Sequence, residues 1–379
     1  MVYVHIPFCR SFCTYCGFYS EVAPKCRETQ IEEYAAALVK EIEARRQDIQ
    51  GVFASGDVNT LYIGGGTPSV LPVSVLRKML AALGRSEFDE FTVEVNPEDI
   101  VEKGPGYVEG LLELGVNRIS MGVQSFDDGV LKWMNRRHDS SQAVQAYHIL
   151  ESAGVDNISI DLIFGLPQLT EDLWTETLEK AIGLSSSGNP PKHISAYQLS
   201  VEEGSMLEKM ISKGMCAEAQ EDVCRGQYDK LCAVLSGAGY EHYEISNFAL
   251  PGYHAKHNSA YWRHIPYVGL GPGAHSYLGG RRQWNADDLS AYLKAAEAGD
   301  FSKVQGSEIL DPEQKTIEKI MLGLRTAAGV DGEFLRANCN GAVLEDAFSK
   351  GNLVISDNGH FRIPEDMFFI SDNIISSII

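Results

Sequence analysis

The sequence predicts an α/β fold: a partial (β/α)6 TIM-like barrel followed by a small C-terminal winged-helix-like domain. Short apolar runs rich in β-branched residues recur, amphipathic helical patterns lie between them, and the character of the chain changes near residue 308. Buried strands that alternate with helices favour a parallel sheet with right-handed crossovers. Six units are too few to close an eight-stranded barrel, so we expect the barrel to be open.

Six apolar runs are the predicted strands: 2–6, 60–64, 91–95, 118–123, 158–164 and 193–199. The helical patterns between them lie near 30–48, 72–84, 106–114, 141–153 and 171–184. Residues 200–300 have the pattern of mixed helix and loop. A helical pattern over 312–326 and apolar runs on both sides of Asp357-Asn358-Gly359, a hairpin signal, predict the C-terminal domain. We therefore expect a barrel over 1–235, a segment packed on it over 236–305, and the winged-helix-like domain over 306–379.

Polar residues lie in or directly after successive predicted strands. They are Glu94, Gln124, Asp161 and Gln198, and a cysteine-rich loop follows the first strand. A single polar residue near a strand end is usually part of a turn. Because the carboxyl ends of barrel strands build the active site, several of them on successive strands predict a shared ligand there.

The charge of the chain restricts its partners. Lys and Arg number 32 against 52 Asp and Glu, for a formal net charge of −20. A strongly acidic surface repels phosphate backbones, so we expect no nucleic-acid partner. No apolar run is long enough to span a bilayer, and the opening MVYVHIPFC lacks the features of a secretion signal. We therefore expect no transmembrane segment and a cytoplasmic protein.

Three cysteines form the most specific motif of the chain. Cys9, Cys13 and Cys16 have the spacing C-x₃-C-x₂-C, which could place three thiolates on an iron–sulfur cluster and leave one iron open. The spacing alone also permits a zinc site with His5 as the fourth ligand. The remaining cysteines are scattered and are predicted to be core thiols: Cys26, Cys216, Cys224, Cys232 and Cys339.

This loop after a first strand resembles the signature of the radical S-adenosylmethionine (SAM) superfamily. That resemblance implies a [4Fe–4S] cluster whose open iron binds SAM, with Tyr15 packing on the adenine. The glycine run Gly64, Gly65 and Gly66 in GGGTPS, after the second strand, is by itself usually a turn. In this order it resembles the motif of the superfamily for the SAM amino group.

Within the superfamily, the whole chain from Tyr3 onwards resembles the oxygen-independent coproporphyrinogen III oxidase family. The matching strings are YVHIPFC, YIGGGTPS, EVNPE, RISMGVQSF, NRRH, IDLIFGLPQ, YQLSVEEGS, HNSAYW and GLRTAAGV. The resemblance implies that Arg136 pairs with the SAM carboxylate, Glu94 reaches the amino group and Asp161 lies near the ribose. The other SAM contacts that it implies are Tyr3, Gly65, Gly66, Thr67, Gln124 and Gln198. Taken singly, each charged residue could instead belong to a surface ion pair.

Two departures point to the HemW branch of this family, whose members are heme chaperones. The dehydrogenases of the family continue the cysteine loop with a fourth cysteine one residue on, where this chain has Gly17-Phe18 after Cys16. They also carry a long N-terminal extension, whereas Cys9 is the ninth residue here. The string HNSAYW resembles the HNxxYW motif of the HemW branch.

That motif supplies the heme candidates of this sequence. His257 could ligate the iron while Tyr261 and Trp262 stack on the porphyrin. Alternatively, His257 hydrogen-bonds within the fold and the aromatic residues fill the core. His5, His138, His264 and His275 are rival ligands. Arg10, Arg137 and Arg263 could pair with propionates, although solvated surface charge is the default for each of them.

Three functions compete on the sequence alone. The first is a heme chaperone that holds heme and passes it to an acceptor protein, using the cluster, SAM and a reductant protein such as a flavodoxin or ferredoxin. The second is coproporphyrinogen III dehydrogenase, an oxidative decarboxylase, whose activity the two departures make doubtful. The third is radical modification of another substrate such as tRNA, which the acidic charge disfavours. We favour the first.

Overall fold

The structure is a computed structural model and describes residues 1–22, 28–56 and 58–379; Cys26 lies outside these ranges. A nine-stranded sheet forms its centre. The strands of this sheet are β1 Val2–Ile6, β2 Thr60–Gly65, β3 Glu90–Val95, β4 Arg118–Gln124, β5 Ile158–Phe164, β6 His193–Gln198, β7 Glu241–Glu244, β8 Asn247–Ala249 and β9 Val268–Leu270. The helices are α1 Glu28–Ala44, α2 Arg46–Ala54, α3 Val73–Leu83, α4 Pro97–Lys103, α5 Pro105–Glu113, α6 Asp128–Trp133, α7 Ser140–Ser152, α8 Glu171–Ile182, α9 Met206–Ser212, α10 Glu221–Gly237, α11 Lys256–Trp262, α12 Leu289–Ala298, α13 Pro312–Leu324, α14 Gly332–Asn338, α15 Gly341–Ser349 and α16 Ser371–Ile378.

The six predicted strands are adjacent and parallel, in the chain order β1 to β6. Their bounds differ from the predicted ones by one residue or less at each end. The predicted parallel α/β sheet is therefore confirmed. The predicted helices are also present, except that the pattern near 30–48 belongs to two helices, α1 and α2, with Arg45 between them.

Strand β4 illustrates how side-chain alternation separates the core from the site. Ile119, Met121 and Val123 point outwards and are buried in the hydrophobic core. Arg118 and Ser120 point into the barrel, where they line a cavity. Because the inward side chains are polar and small, the barrel interior is not filled by apolar layers as it is in a closed TIM barrel.

The segment after residue 236 contains strands that the sequence did not predict. β7 and β8 form an antiparallel hairpin on β6, and β9 pairs in parallel with β1 on the opposite edge. A separate antiparallel sheet consists of His275–Leu278, Arg281–Asn285 and Gln305–Ile309. These strands have three to five residues, too few to show a clear alternation. Residues 236–305 thus share the main sheet with residues 1–235, and the boundary near 235 stays a prediction.

The C-terminal residues contain α13, α14, α15 and α16 and a small antiparallel sheet. Its strand order is Val330–Asp331, His360–Arg362, Val354–Ile355. The last two strands flank Asp357-Asn358-Gly359, as predicted. The helices and hairpin match the predicted content, and the assignment as a winged-helix-like domain stays a prediction.

Among the helices of the described residues, none combines the length and the apolar character that a bilayer crossing requires.

Candidate functional site

A cavity of ≈ 510 Å³ opens at the carboxyl ends of the barrel strands and extends into the barrel. Cys9, Cys13 and Cys16 form part of its wall. All the predicted SAM residues except Tyr3 also line it: Tyr15, Gly65, Gly66, Thr67, Glu94, Gln124, Arg136, Asp161 and Gln198. The parallel strands therefore bring residues from the first to the sixth strand to one cavity.

The cysteine loop is held from both sides. The short strand Phe8–Cys9 pairs with Glu21–Val22 and closes the base of the loop. The Thr14 amide donates to Met134 O at 3.0 Å, and the Leu207 amide donates to Thr14 O at 2.8 Å. These backbone bonds fix the loop between α6 and α9, at the mouth of the cavity.

The thiols lie in surroundings that favour a bound metal cluster over free thiolates. Cys9 Sγ is 3.2 Å from Thr67 Oγ1, and Arg136 Nη1 donates to Cys13 Sγ at 3.4 Å. Burial raises the thiol pKa of Cys9, and it raises that of Cys16 to about 11. The positive charge of bound iron would displace these protons, so three thiols on one cavity wall fit the cluster.

The zinc alternative does not fit the geometry. His5 Nε2 lies 2.8 Å from Tyr19 O, and His5 Nδ1 lies 3.1 Å from Tyr3 OH. Both ring nitrogens are therefore occupied away from the cysteines. Among the described residues, no group of three or more His, Cys, Asp or Glu side chains converges on a point for one metal ion.

Because the glycine run has no side chains, its backbone, the cysteine loop and Glu94 can lie close together. Gly65 has a φ of 107°, a conformation that side chains strongly disfavour. A Cβ on Gly66 would lie 2.7 Å from Phe8 O in the cysteine loop, and a Cβ on Gly64 would lie 2.8 Å from Glu94 Oε1. The run therefore has a structural reason beyond a turn, because any larger residue would displace the cysteine loop or Glu94.

Glu94 is held as a hydrogen-bond acceptor inside the cavity. Tyr62 OH donates to Glu94 Oε1 at 2.7 Å, and the Gly65 amide donates to Oε2 at 3.1 Å. Burial raises the pKa of Glu94 to about 7, although both hydrogen bonds act in the opposite direction. A cationic or N–H-bearing ligand group would stabilise the ionised form.

Arg136 has the arrangement expected for binding a carboxylate. Its Nη2 donates to Asn96 Oδ1 at 2.8 Å and to Gly122 O at 2.7 Å, while its Nε is buried with no hydrogen-bond partner among the described residues. Asn96 Nδ2 in turn donates to Thr67 Oγ1 at 3.3 Å. The guanidinium is therefore fixed in place and still has an unused donor beside the cysteines.

The remaining SAM candidates belong to the ends of β4, β5 and β6. Gln124 has a φ of 67° at an irregularity in the pairing of β4 with β5, and such strained conformations cluster at functional sites. Asp161 accepts from Ser120 Oγ at 3.2 Å, and burial raises its pKa to about 6. Gln198 is exposed at the cavity edge.

Asn96 and Ser120 are site residues that the sequence analysis did not single out. Asn96 lies within EVNPE, directly after the strand that carries Glu94. Ser120 is four residues before Gln124, so the alternation of the strand places both on the inner face. The period of the strand would have identified Ser120, whereas the contact between Asn96 and Arg136 depends on the tertiary structure.

HNSAYW lies in α11, beside the start of β2, and Asn258 of this motif lines the cavity from within the barrel. His257 Nδ1 is 2.8 Å from Thr60 Oγ1, at the start of β2, and His257 Nε2 is 3.0 Å from Tyr261 OH. His257 is almost fully buried, and burial lowers its pKa to about 3. Trp262 lies beside the Glu244 carboxyl, whose pKa is raised by burial to about 7. The three heme candidates are thus close together, but they do not line the cavity and both His257 nitrogens have partners.

Two of the rival histidines, His138 and His264, also have polar partners within the fold. His138 Nε2 lies 3.0 Å from Val123 O, and His264 Nε2 lies 3.0 Å from Glu318 Oε2. His275 is exposed on the sheet beside Trp284, away from the cavity.

Of the other predicted core thiols in the described ranges, Cys224 is buried, and Cys232 and Cys339 pack partly buried against the core. Cys216 is half-buried in the loop after α9 and lies outside the core, so the prediction was wrong for this residue. In this loop, one side of Cys216 is open to solvent.

Comparisons with known proteins agree with this geometry. Residues 3–181 match the profile of the Radical SAM superfamily. Heme chaperone HemW of Lactococcus lactis is 35% identical over 332 residues, which cover 86% of this chain and 82% of that protein. Heme chaperone HemW of Bacillus subtilis is 34% identical over 336 residues, covering 86% and 84%.

A solved structure has the same fold over nearly the whole chain. It is coproporphyrinogen III oxidase (HemN) from Escherichia coli, described as a radical SAM enzyme. It superposes with a TM-score of 0.78 at 21% identity and covers 99% of this chain and 89% of its own. At that identity the match shows a shared fold, while the kinship with the HemW proteins extends to the sequence.

Proposed function

Because the chain belongs to the HemW family of radical SAM proteins, we propose that it is a heme chaperone that binds heme and transfers it to an acceptor protein. The observation that carries this proposal is the kinship with HemW proteins along most of the chain, together with a cavity that gathers the cysteines, Glu94, Arg136 and Asp161. The acceptor protein, a flavodoxin- or ferredoxin-like reductant and a cytoplasmic location are further parts of the proposal.

Cys9, Cys13 and Cys16 would hold the [4Fe–4S] cluster, and SAM would bind beside it. When bound, the reduced cluster supplies the electron for SAM cleavage. Arg136, whose Nε has no partner among the described residues, would donate to the SAM carboxylate, and Glu94 would accept from the amino group.

The other SAM contacts follow from the positions of their residues. Tyr15 packs on the adenine, Asp161 accepts from the ribose, and Gly65, Gly66 and Thr67 offer backbone close to the methionyl part. Gln124 and Gln198 contribute amides at the strand ends. Tyr3 lies outside the cavity wall, and its hydroxyl is 3.1 Å from His5 Nδ1, so it would support the first strand and would not touch SAM.

The first test uses the full chain with its cluster reconstituted without oxygen. It receives SAM, a strong reductant and coproporphyrinogen III, and mass spectrometry is used to search for decarboxylated product. We expect no such product and, in a separate titration, a heme-dependent Soret band. Decarboxylation in step with 5′-deoxyadenosine formation would instead identify a coproporphyrinogen III dehydrogenase, the alternative suggested by the family resemblance.

A cysteine variant tests whether Cys13 holds the cluster. Cys13→Ala should lose iron and SAM binding, whereas Cys216→Ala, a half-buried cysteine outside the cavity, should retain both. Iron content and equilibrium dialysis with SAM measure the two effects. Full iron occupancy in Cys13→Ala would contradict the assignment of this ligand.

A further inference from the structure

The cavity mouth carries an unusual number of exposed aromatic residues. Phe12, Phe18 and Tyr197 line the cavity and are 50%, 72% and 42% exposed. Phe12 and Phe18 belong to the cysteine loop. Tyr197 belongs to the carboxyl end of β6, and its hydroxyl faces Asp161 and Ser195 inside the barrel while part of its ring stays exposed. Large apolar side chains exposed together around a cavity commonly indicate a ligand or partner surface. We call these three residues the aromatic rim.

Phe18 occupies a position that is informative in the sequence. It is the second residue after Cys16, the third cysteine of the loop. At 72% exposure it gives little to the core, so its stabilising contribution to the fold is small. An exposed phenylalanine there adds an apolar surface directly beside the cluster site.

An unpaired cation accompanies the aromatic rim. Arg137 is exposed, lines the same cavity, and forms no ion pair within 4.0 Å among the residues that the structure describes, although it is near enough to Glu102 to help Arg10 lower the pKa of that carboxyl. The neighbouring Arg10, in contrast, is already paired with Glu102 and lies 3.4 Å from Asp99. In a chain with a net charge of −20, Arg137 is thus a local positive site next to an apolar surface.

We propose that heme docks on this aromatic rim, with one porphyrin face against Phe12, Phe18 and Tyr197 and one propionate paired with Arg137. This proposal rests on the proposed heme-chaperone function and names the site of that function. A planar apolar macrocycle with anionic side chains matches both features of the surface. Since the cluster and SAM occupy the cavity itself, a second large ligand fits at the mouth.

The HNSAYW end of the barrel lacks these properties. Ligation by His257 would break its contact with Thr60 or with Tyr261, and the imidazole is almost fully buried. No porphyrin face can reach that nitrogen without displacing α11. The motif therefore holds α11 against the start of β2, and heme binds at the other end.

The test is a heme titration of the cluster-loaded full chain, followed by difference absorbance in the Soret region. We expect Phe12→Ala/Phe18→Ala to raise the heme Kd about tenfold or more, because two apolar contacts are lost. Arg137→Ala should raise it about fivefold. If the double variant loses iron, Tyr197→Ala tests the rim without altering the cysteine loop.

Matched controls separate the rim from general surface effects. Ile355→Ala removes an apolar side chain that is 57% exposed in the C-terminal hairpin, and Arg263→Ala removes an exposed arginine beside HNSAYW. Both should bind heme within about twofold of wild type. Iron content and circular dichroism show whether each variant keeps its cluster and fold.

The outcomes show separately whether the aromatic rim is the heme site and whether the protein binds heme at all. If wild type binds heme and the rim variants bind it equally well, the rim is not the site. Weakened binding in His257→Gln or Arg263→Ala, with intact binding in the rim variants, would place heme at HNSAYW instead. If wild type binds no heme, the proposed function itself fails.

Discussion

At the scale of single residues, the site is prepared for a zwitterionic ligand before any ligand binds. Arg136 is oriented by Asn96 Oδ1 and Gly122 O, and Glu94 is oriented by Tyr62 OH and the Gly65 amide. Opposite charges are therefore fixed on two sides of one cavity. Such preorganisation lowers the entropy cost of binding a group that carries both an amine and a carboxylate.

Replacing Arg136 by lysine tests this arrangement. Lysine keeps the charge but cannot bond Asn96 and Gly122 while it also faces a carboxylate, so SAM affinity should fall about tenfold or more. Equilibrium dialysis with the cluster-loaded protein measures the change. Arg77→Lys, at an exposed ion pair with Glu113, is the matched control and should bind SAM like wild type. Equal affinity in both variants would contradict a role for Arg136.

The raised pKa of Glu94 predicts a pH dependence of SAM binding. Burial brings this pKa to about 7, so the carboxylate becomes protonated, and a weaker acceptor, as the pH falls from 8 to 6. SAM affinity of wild type should fall over that range, with a further loss near pH 6 from Asp161.

Glu94→Gln isolates this contribution. The variant should bind SAM more weakly at pH 8 and lose less affinity between pH 8 and pH 6, since the titration of SAM itself is common to both proteins. Dialysis at a series of pH values gives the two slopes. Parallel slopes would show that the protonation of Glu94 is not linked to SAM binding.

At the scale of elements, helix α1 attaches the segment after residue 255 to the barrel. Glu41 is fully buried and accepts from the Gly271 amide at 2.8 Å, Tyr292 OH at 2.7 Å and Asn285 Nδ2 at 2.7 Å. One turn later, Arg45 Nη1 donates to Gly269 O at 2.9 Å. Strand β9 is therefore held on β1 by Glu41 of α1 and by Arg45, which follows α1, in addition to its own ladder bonds.

Removing the Glu41 carboxylate should destabilise the fold. Glu41→Ala leaves the buried Gly271 amide and Tyr292 hydroxyl without an acceptor and removes one of the two acceptors of Asn285 Nδ2, so the free energy of unfolding should fall by about 2–4 kcal/mol. Urea denaturation followed by circular dichroism gives the value. Glu33→Ala, on an exposed position of the same helix, should change it by less than about 0.5 kcal/mol. A loss of the same size in both would mean that the network around Glu41 is not specific.

At the scale of the whole molecule, charge decides what the C-terminal elements can bind. Over residues 306–379 acidic residues outnumber basic ones, and the entire chain carries a net charge of −20. Helices with a hairpin occur in many DNA-binding modules, but phosphate contacts need lysine and arginine. This part of the chain instead packs on its surroundings, where Arg225 Nη2 in α10 donates to Asp366 O at 3.2 Å.

The full chain should therefore not bind DNA. Fluorescence anisotropy of a labelled duplex at about 50 mM salt, where phosphate contacts are strong, should show no change with micromolar protein. Salt-sensitive binding under these conditions would contradict the inference that the acidic surface excludes DNA.

The sequence predicts the strands at the centre of the barrel but not the short strands at its periphery. The six long strands show clear apolar runs, and parallel strands direct their carboxyl ends to one edge, so Cys9, Glu94 and Asp161 could be expected to meet. The strand over Val268–Leu270 has three residues and no usable period. Its position depends on the contacts of Glu41 and Arg45, which join residues more than 200 positions apart in the chain.

By itself, then, the sequence determined the parallel barrel, the cysteine loop and the convergence of Glu94, Gln124, Asp161 and Gln198 on the cavity, because strand alternation and strand direction are local properties. Only the tertiary structure decided that both nitrogens of His257 are used by Thr60 and Tyr261, and that Phe18 stays exposed at the cavity mouth. Hydrogen-bond partners and exposure depend on which distant segments pack together, and no spacing along the chain encodes that.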